Sequence, residues 1–213
     1  MYIDVYGIPE EFLLLLSLTT GLANEKAIAQ IDPSQAKLSW ARFSMWTKML
    51  EKCIMSWRPQ PRDQPADRTQ QVSEELLESN RRFLAHHLQA LRQALIVYFH
   101  RRVHDVDPGI LQDKVEKTVR HLEQCQEEDT RAGTTTATFV WPAFISACEA
   151  LEPDVHERFI KWFDKSTATT GFSIFKTAKN VVQELWSHRA AVHGQPIDWL
   201  QFGRKVHLQL MVV

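Results

Sequence analysis

The segment FVWPAFISACEAL, residues 139–151, decides how the rest of the chain is read. With Pro142 at the first helical position, where its missing N–H is no loss, Trp141, Phe144, Ile145, Cys148 and Leu151 recur at i, i+3, i+4, i+7 and i+10. They form one apolar stripe. Glu149 stands at its edge. A carboxylate there must reach water or a cationic partner, so the segment predicts a packed helix with a structural ion pair rather than a catalytic acid.

Downstream, Pro153 and Asp154 open a helix with Val155, Phe159, Trp162 and Phe163 on one face. Gly171 breaks it and Ser173 caps the next, whose stripe is Phe175, Ala178, Val182, Leu185 and Trp186. Arg189 falls on that same stripe. A guanidinium on an apolar face needs a carboxylate, and Glu149 is the available one. The two are expected to pair. The stretch from Pro196 to Val213 reads as a short helix from Asp198 and an apolar finish that closes the core.

Upstream, Pro9 with Glu10 and Glu11 starts a first helix whose broad apolar surface, Phe12 to Leu18 with Leu22, Ala23 and Ala27, predicts burial on more than one side. Asp32-Pro33 reads as the cap of a second helix with Phe43, Trp46, Leu50, Cys53, Ile54 and Trp57 on one face. Residues 58–71 are Pro, Gln, Asp and Arg without apolar period, a flexible loop. A long helix follows with Leu77, Leu84, Leu88, Leu91, Leu95 and Tyr98 on one stripe, and the run Leu95 to Phe99 makes it the central helix. Asp107-Pro108 opens a surface helix that buries Leu111, Val115, Thr118, Leu122 and Cys125. Glu127 to Thr136 is polar and reads as a loop.

Composition agrees with one all-α domain over residues 1–213, a multi-helix orthogonal bundle of about seven or eight helices. Only 7 of 213 residues are glycine, leaving few tight turns, and five of the 9 prolines sit at predicted helix starts. A formal net charge of -1 gives no field that draws the chain to nucleic acid or an anionic membrane. Cys53, Cys125 and Cys148 form no C-x-x-C pair, which argues against a closed zinc site and for a reducing compartment. Leu13 to Leu16 resemble a signal core, but acidic residues precede them and the run is shorter than the roughly 20 residues of a bilayer span. No membrane association is expected.

Candidate chemistry is thin. Neighbouring His86 and His87 point about 100° apart on a helix and are poorly placed to share an ion. Asp105 and Asp107 form a D-x-D that with magnesium could hold a diphosphate, but Asp107 is more simply a cap and no second acidic cluster follows. No G-x-S-x-G, H-E-x-x-H or glycine-rich phosphate loop occurs. No catalytic, metal or DNA-binding residue is therefore assigned. Trp141, Phe144, Cys148, Trp162 and Trp186 are a core signature that could alternatively line an effector pocket.

The succession ALIVYFHRRVHDVDP (94–108), FVWPAFISACEA (139–150), RFIKWFD (158–164) and VVQELW (181–186) resembles the C-terminal part of the fungal-specific transcription factor domain. That domain is the regulatory region of fungal binuclear zinc cluster regulators, here of the arginine-metabolism-regulator-like branch. The opening YGIPEEFLLLLSLTTGLANE is similar to the helix that begins this part of the family. The resemblance implies an all-helical regulatory domain of a nuclear protein, shared at most with the cytoplasm, that lies downstream of a six-cysteine zinc cluster. Such a cluster is absent from these residues, so the resemblance implies zinc only in a DNA-binding module outside them and no cofactor here. It implies either the regulatory part of a longer regulator or a shortened relative. Expected partners are other transcription proteins or a homodimer partner, with a small metabolite as a further candidate, and no direct nucleic acid contact. The competing reading is a standalone all-helical small-molecule binder or enzyme.

Overall fold

The computed structural model describes residues 8–58, 74–134, 136 and 139–191. Among them are seven α-helices and no strand. They are α1 (Glu10–Ile31), α2 (Trp40–Ser56), α3 (Glu74–Val103), α4 (Gln112–Ala132), α5 (Val140–Glu149), α6 (Pro153–Thr170) and α7 (Ser173–Ala191). Short 3₁₀ turns at Pro33–Gln35 and Pro108–Leu111 precede α2 and α4. The flexible loop expected at 58–71 lies, apart from Arg58, outside the described residues, as does the stretch from Pro196 to Val213.

The second half of α3 is the axis of the bundle. From Ala94 to Phe99 every side chain is buried, as a continuous apolar run requires. It packs along α4 and touches α1, α2 and α5. Its beginning is looser: Leu77 is exposed, and Phe83 takes the core position in that part of the helix.

α5 departs further from the expected single stripe. Trp141 to Ala150 are all buried, because α3, α4, α6 and α7 surround this short helix. Trp141 also meets Phe12 of α1 edge-on at 5.5 Å and Tyr98 of α3 at 5.7 Å. Pro142 is the third residue of α5, still within the first turn where its missing donor is harmless. Leu151 lies beyond the helix and is exposed.

The proline and acid punctuation marks turns more often than helix starts. Asp32 Oδ1 accepts from the Ser34 N–H at 3.0 Å and so caps the 3₁₀ turn, leaving α2 to begin at Trp40 behind Ser39. Asp107 does the same for Gly109 at 2.7 Å, and its turn runs directly into α4. Pro9 is the residue before α1 rather than its first. Only Pro153 occupies the first position of its helix as expected.

Residues 127–132, expected as loop, prolong α4. The helix ends at Gly133, whose φ of 63° is the left-handed conformation glycine adopts without a Cβ penalty. Gly171 closes α6 in the same way at φ 72°.

The first two helices are more open than their sequences predict. α1 buries one stripe, Phe12, Leu15, Thr19, Leu22 and Ala23, while Leu14 and Leu18 face outward. By length and composition alone α1 is also long and apolar enough to cross a membrane, in contrast to the shorter run counted from sequence. α2 buries only Thr47, Leu50 and Ile54. Trp46 and Cys53, expected inside, are exposed, as are Trp40, Met45, Met49 and Met55. The tryptophans therefore do not all pack the core.

Candidate functional site

Surrounding α5 on all sides creates a polar problem at its C-terminal end. The last carbonyls of a helix have no intrahelical donor, and buried ones must find one elsewhere. Four side chains from three other helices supply them. Trp186 Nε1 of α7 donates at 2.9 Å to the Ala147 carbonyl, which also accepts the Ala150 N–H at 3.2 Å, and Arg189 Nη1 donates to that of Cys148. Gln112 Nε2 of α4 donates to the Glu149 carbonyl at 2.9 Å. His156 Nε2 of α6 lies 2.9 Å from the Ala150 carbonyl, which can only accept, so this nitrogen carries the proton.

The His156 imidazole stacks on the Trp186 ring with centroids 3.7 Å apart. Burial is the largest influence on it and holds its pKa below the ordinary histidine range. Arg189 acts in the same direction, whereas the Ala150 carbonyl, Asp154 and Glu152 oppose it. Burial and Arg189 thus favour the neutral ring, whose one N–H the Ala150 carbonyl engages.

The same end of α5 carries the buried carboxylate. Glu149 is 1% exposed, and its Oε2 is 2.9 Å from Arg101 Nε of α3 and 3.8 Å from Arg189 Nη2 of α7. The pairing expected from sequence named one of these two arginines. Arg101, the nearer, was missed, although it stands two residues after the apolar run Leu95 to Phe99, near the end of α3. Its Nη1 also donates to the Val106 carbonyl at 2.6 Å, tying the turn after α3 to the same cluster. One carboxylate thus holds α3, α5 and α7 together.

A second buried acid links α3 to α4. Glu128 accepts from Ser79 Oγ at 3.0 Å and Arg82 Nε at 3.1 Å, and pairs with Arg131 at 2.5 Å. Burial pushes its pKa up, but those three donors outweigh it and the carboxyl is held below its ordinary range. This partnership explains why the polar residues around 128 continue a helix instead of forming a loop.

The remaining residues singled out by sequence separate clearly. Trp141, Phe144, Cys148 and Trp162 are fully buried, and Trp162 Nε1 reaches the Leu122 carbonyl at 3.3 Å. Trp186 is half-buried at the α5 end. The D-x-D carboxylates diverge: Asp105, in the left-handed region at φ 53°, pairs with Lys26 at 2.5 Å, while Asp107 caps its own turn. His86 turns to His121 of α4, with Nδ1 atoms 3.2 Å apart. His87 enters the core, stacked on Phe83, and its ring nitrogens lack a hydrogen-bond partner among the described residues. Burial depresses its pKa to about 4.

The bundle and its carbonyl-closing cluster define an all-helical domain whose ionised groups near the core organise packing. The family model for the fungal specific transcription factor domain matches residues 1–212, and the chain belongs to that family. Arginine metabolism regulation protein II of Saccharomyces cerevisiae is 20% identical over 210 residues, which is 98% of this chain and 23% of the relative. The chain therefore spans less than a quarter of the length of the curated relative it matches. No solved structure matches it. The family is one of transcription factor domains, which gives the chain a regulatory role in transcription.

Proposed function

We propose that this chain regulates transcription in the nucleus through protein contacts made by α2, without contacting DNA itself. The observation that carries the reading is the contrast between the two ends of the fold. Around α5 the charged side chains described above are engaged in packing. Along α2, Trp40, Met45, Trp46, Met49 and Met55 stand open to solvent on a helix whose buried stripe is only three residues wide. Exposed apolar side chains in such density mark interaction surfaces, and methionines adapt to varied partners.

Charge on the same helix selects the partner's chemistry. Arg42, Lys48 and Lys52 are exposed beside the apolar side chains, and the helix's one acid, Glu51, lies 3.6 Å from His104. An acidic amphipathic segment of another transcription protein matches both properties. The net charge of -1 supports no electrostatic attraction to DNA.

The test is binding of a labelled acidic amphipathic peptide of about 20 residues, rich in Leu, Phe, Asp and Glu, against its lysine-substituted counterpart. Binding of the acidic peptide alone, lost in Trp46→Glu/Met49→Glu at unchanged melting temperature, is expected. Equal binding of both peptides, or of neither, would overturn the reading.

A further inference from the structure

We infer that Glu51, His100 and His104 form a binding site for a divalent transition metal of the zinc class, bridging α2 and α3. The observation is geometric. One ligand atom from each of the three residues lies within 4.8 Å of the other two. His104 Nε2 is 3.6 Å from Glu51 Oε2, close to the edge of about 3.3 Å that a tetrahedron with zinc bonds near 2.0 Å requires.

The sequence spacing explains the convergence. His100 lies in the last turn of α3 and His104 is the first residue beyond it, four positions on, a spacing like that by which paired histidines chelate zinc from a helix. Their rings lie roughly parallel, interplanar 28° with centroids 5.7 Å apart. Phe99 packs edge-on against both and limits how far either can swing away. The carboxylate comes from across the helix interface, as Glu51 sits on the margin of the narrow stripe by which α2 meets α3.

Two imidazoles and one carboxylate suit zinc by donor type and leave a fourth position for water or a ligand from elsewhere. Magnesium and calcium prefer oxygen ligands and fit poorly. The nearby cation Lys114 is engaged by Asp113 at 2.7 Å, which limits its repulsion of an incoming ion. A bound ion would pin to α3 a helix, α2, that buries only three side chains. The site does not depend on α2 binding another protein.

Calorimetric titration of the purified chain with ZnCl₂ near neutral pH tests the inference, with Co²⁺ absorption as the second readout. Expected are one site, a rise in melting temperature on saturation, and cobalt d–d bands without a thiolate charge-transfer band. Glu51→Gln and His104→Gln alter partly exposed side chains, so both variants keep the fold; each should weaken binding at least about 10-fold and together abolish it. Cys53→Ser should bind like the unaltered chain. No binding up to about 100 µM metal, binding unaffected by the double substitution, or binding lost in Cys53→Ser would each overturn the assignment.

Discussion

Replacing Glu149 by glutamine tests the role of the buried carboxylate with almost no change in volume. The substitution removes the negative charge between two guanidinium groups whose side chains are only 12% and 16% exposed. Breaking a buried ion pair from one side typically costs about 3–5 kcal/mol, since the remaining charge loses its compensation without regaining water. With two arginines left facing each other, we expect about 3 kcal/mol for the isosteric change. For a chain of this length that lowers the melting temperature by about 6–12 °C. The two partners should differ. At an effective dielectric near 20, the 2.9 Å and 3.8 Å separations differ by about 1 kcal/mol in attraction, so Arg101→Met should destabilise more than Arg189→Met. Urea titration followed by tryptophan fluorescence, with calorimetric melts, measures all three. The triple substitution Glu149→Leu/Arg101→Met/Arg189→Met is not a simple sum of losses: with no charge left to bury, much of the stability should return. A Glu149→Gln variant within about 1 kcal/mol of the unaltered chain, or a larger loss for Arg189 than for Arg101, would refute the account of the cluster.

Acid should destabilise the fold from near neutrality downward. His87 is depressed from its ordinary 6.5 to about 4 by burial, and His86, His100, His121 and His156 are depressed as well, with burial the largest cause in each. The unfolded chain takes up protons first, so this stability is present above pH 6.5 and is lost as pH falls through about 4. The His87 share is about 2 kcal/mol at pH 5 and about 3 kcal/mol in full. His87→Leu should abolish that share and raise stability at pH 7 by about 1 kcal/mol, because it removes two buried polar atoms without partners; an unchanged pH profile in urea titrations would contradict the burial argument. Trp141→Ala should cost about 3–5 kcal/mol as a core truncation, whereas Trp40→Ala, 80% exposed, should stay within about 0.5 kcal/mol by the same measurement. In a mobility-shift assay at physiological salt the chain should not retard duplex DNA; tight, salt-sensitive retardation would contradict the charge argument.

Periodicity made α3, α6, α7 and the buried face of α4 readable from sequence because each carries a dense stripe at helical spacing. Val155, Phe159, Trp162 and Phe163 behave as such a stripe should. It misjudged α2 because Trp46 and Cys53 satisfy the same spacing as Leu50 and Ile54 without being covered. An apolar residue fits a stripe equally well whether a partner helix faces it or water does. Asp32-Pro33 and Asp107-Pro108 have the chemistry of helix caps, but a capped 3₁₀ turn has the same local signature. Around residue 128 the error ran the other way, since the arginines and serine that hold Glu128 in a helix lie partly on α3, distant in sequence. Arg101 and the metal-ligand set were hidden for the same reason. His100 and His104 display the i, i+4 spacing openly, but Glu51 joins them only through the packing of α2 on α3.

Action of this domain on transcription through the open face of α2 can be read in a single reporter assay. The chain is tethered to an unrelated DNA-binding module in a fungal cell, upstream of a reporter gene, beside a Trp46→Glu/Met49→Glu version at equal abundance. The tethered domain should change reporter output, and the double substitution should return it to the level of the module alone. Output equal for the two versions, or no effect of the domain at all, would contradict action through α2.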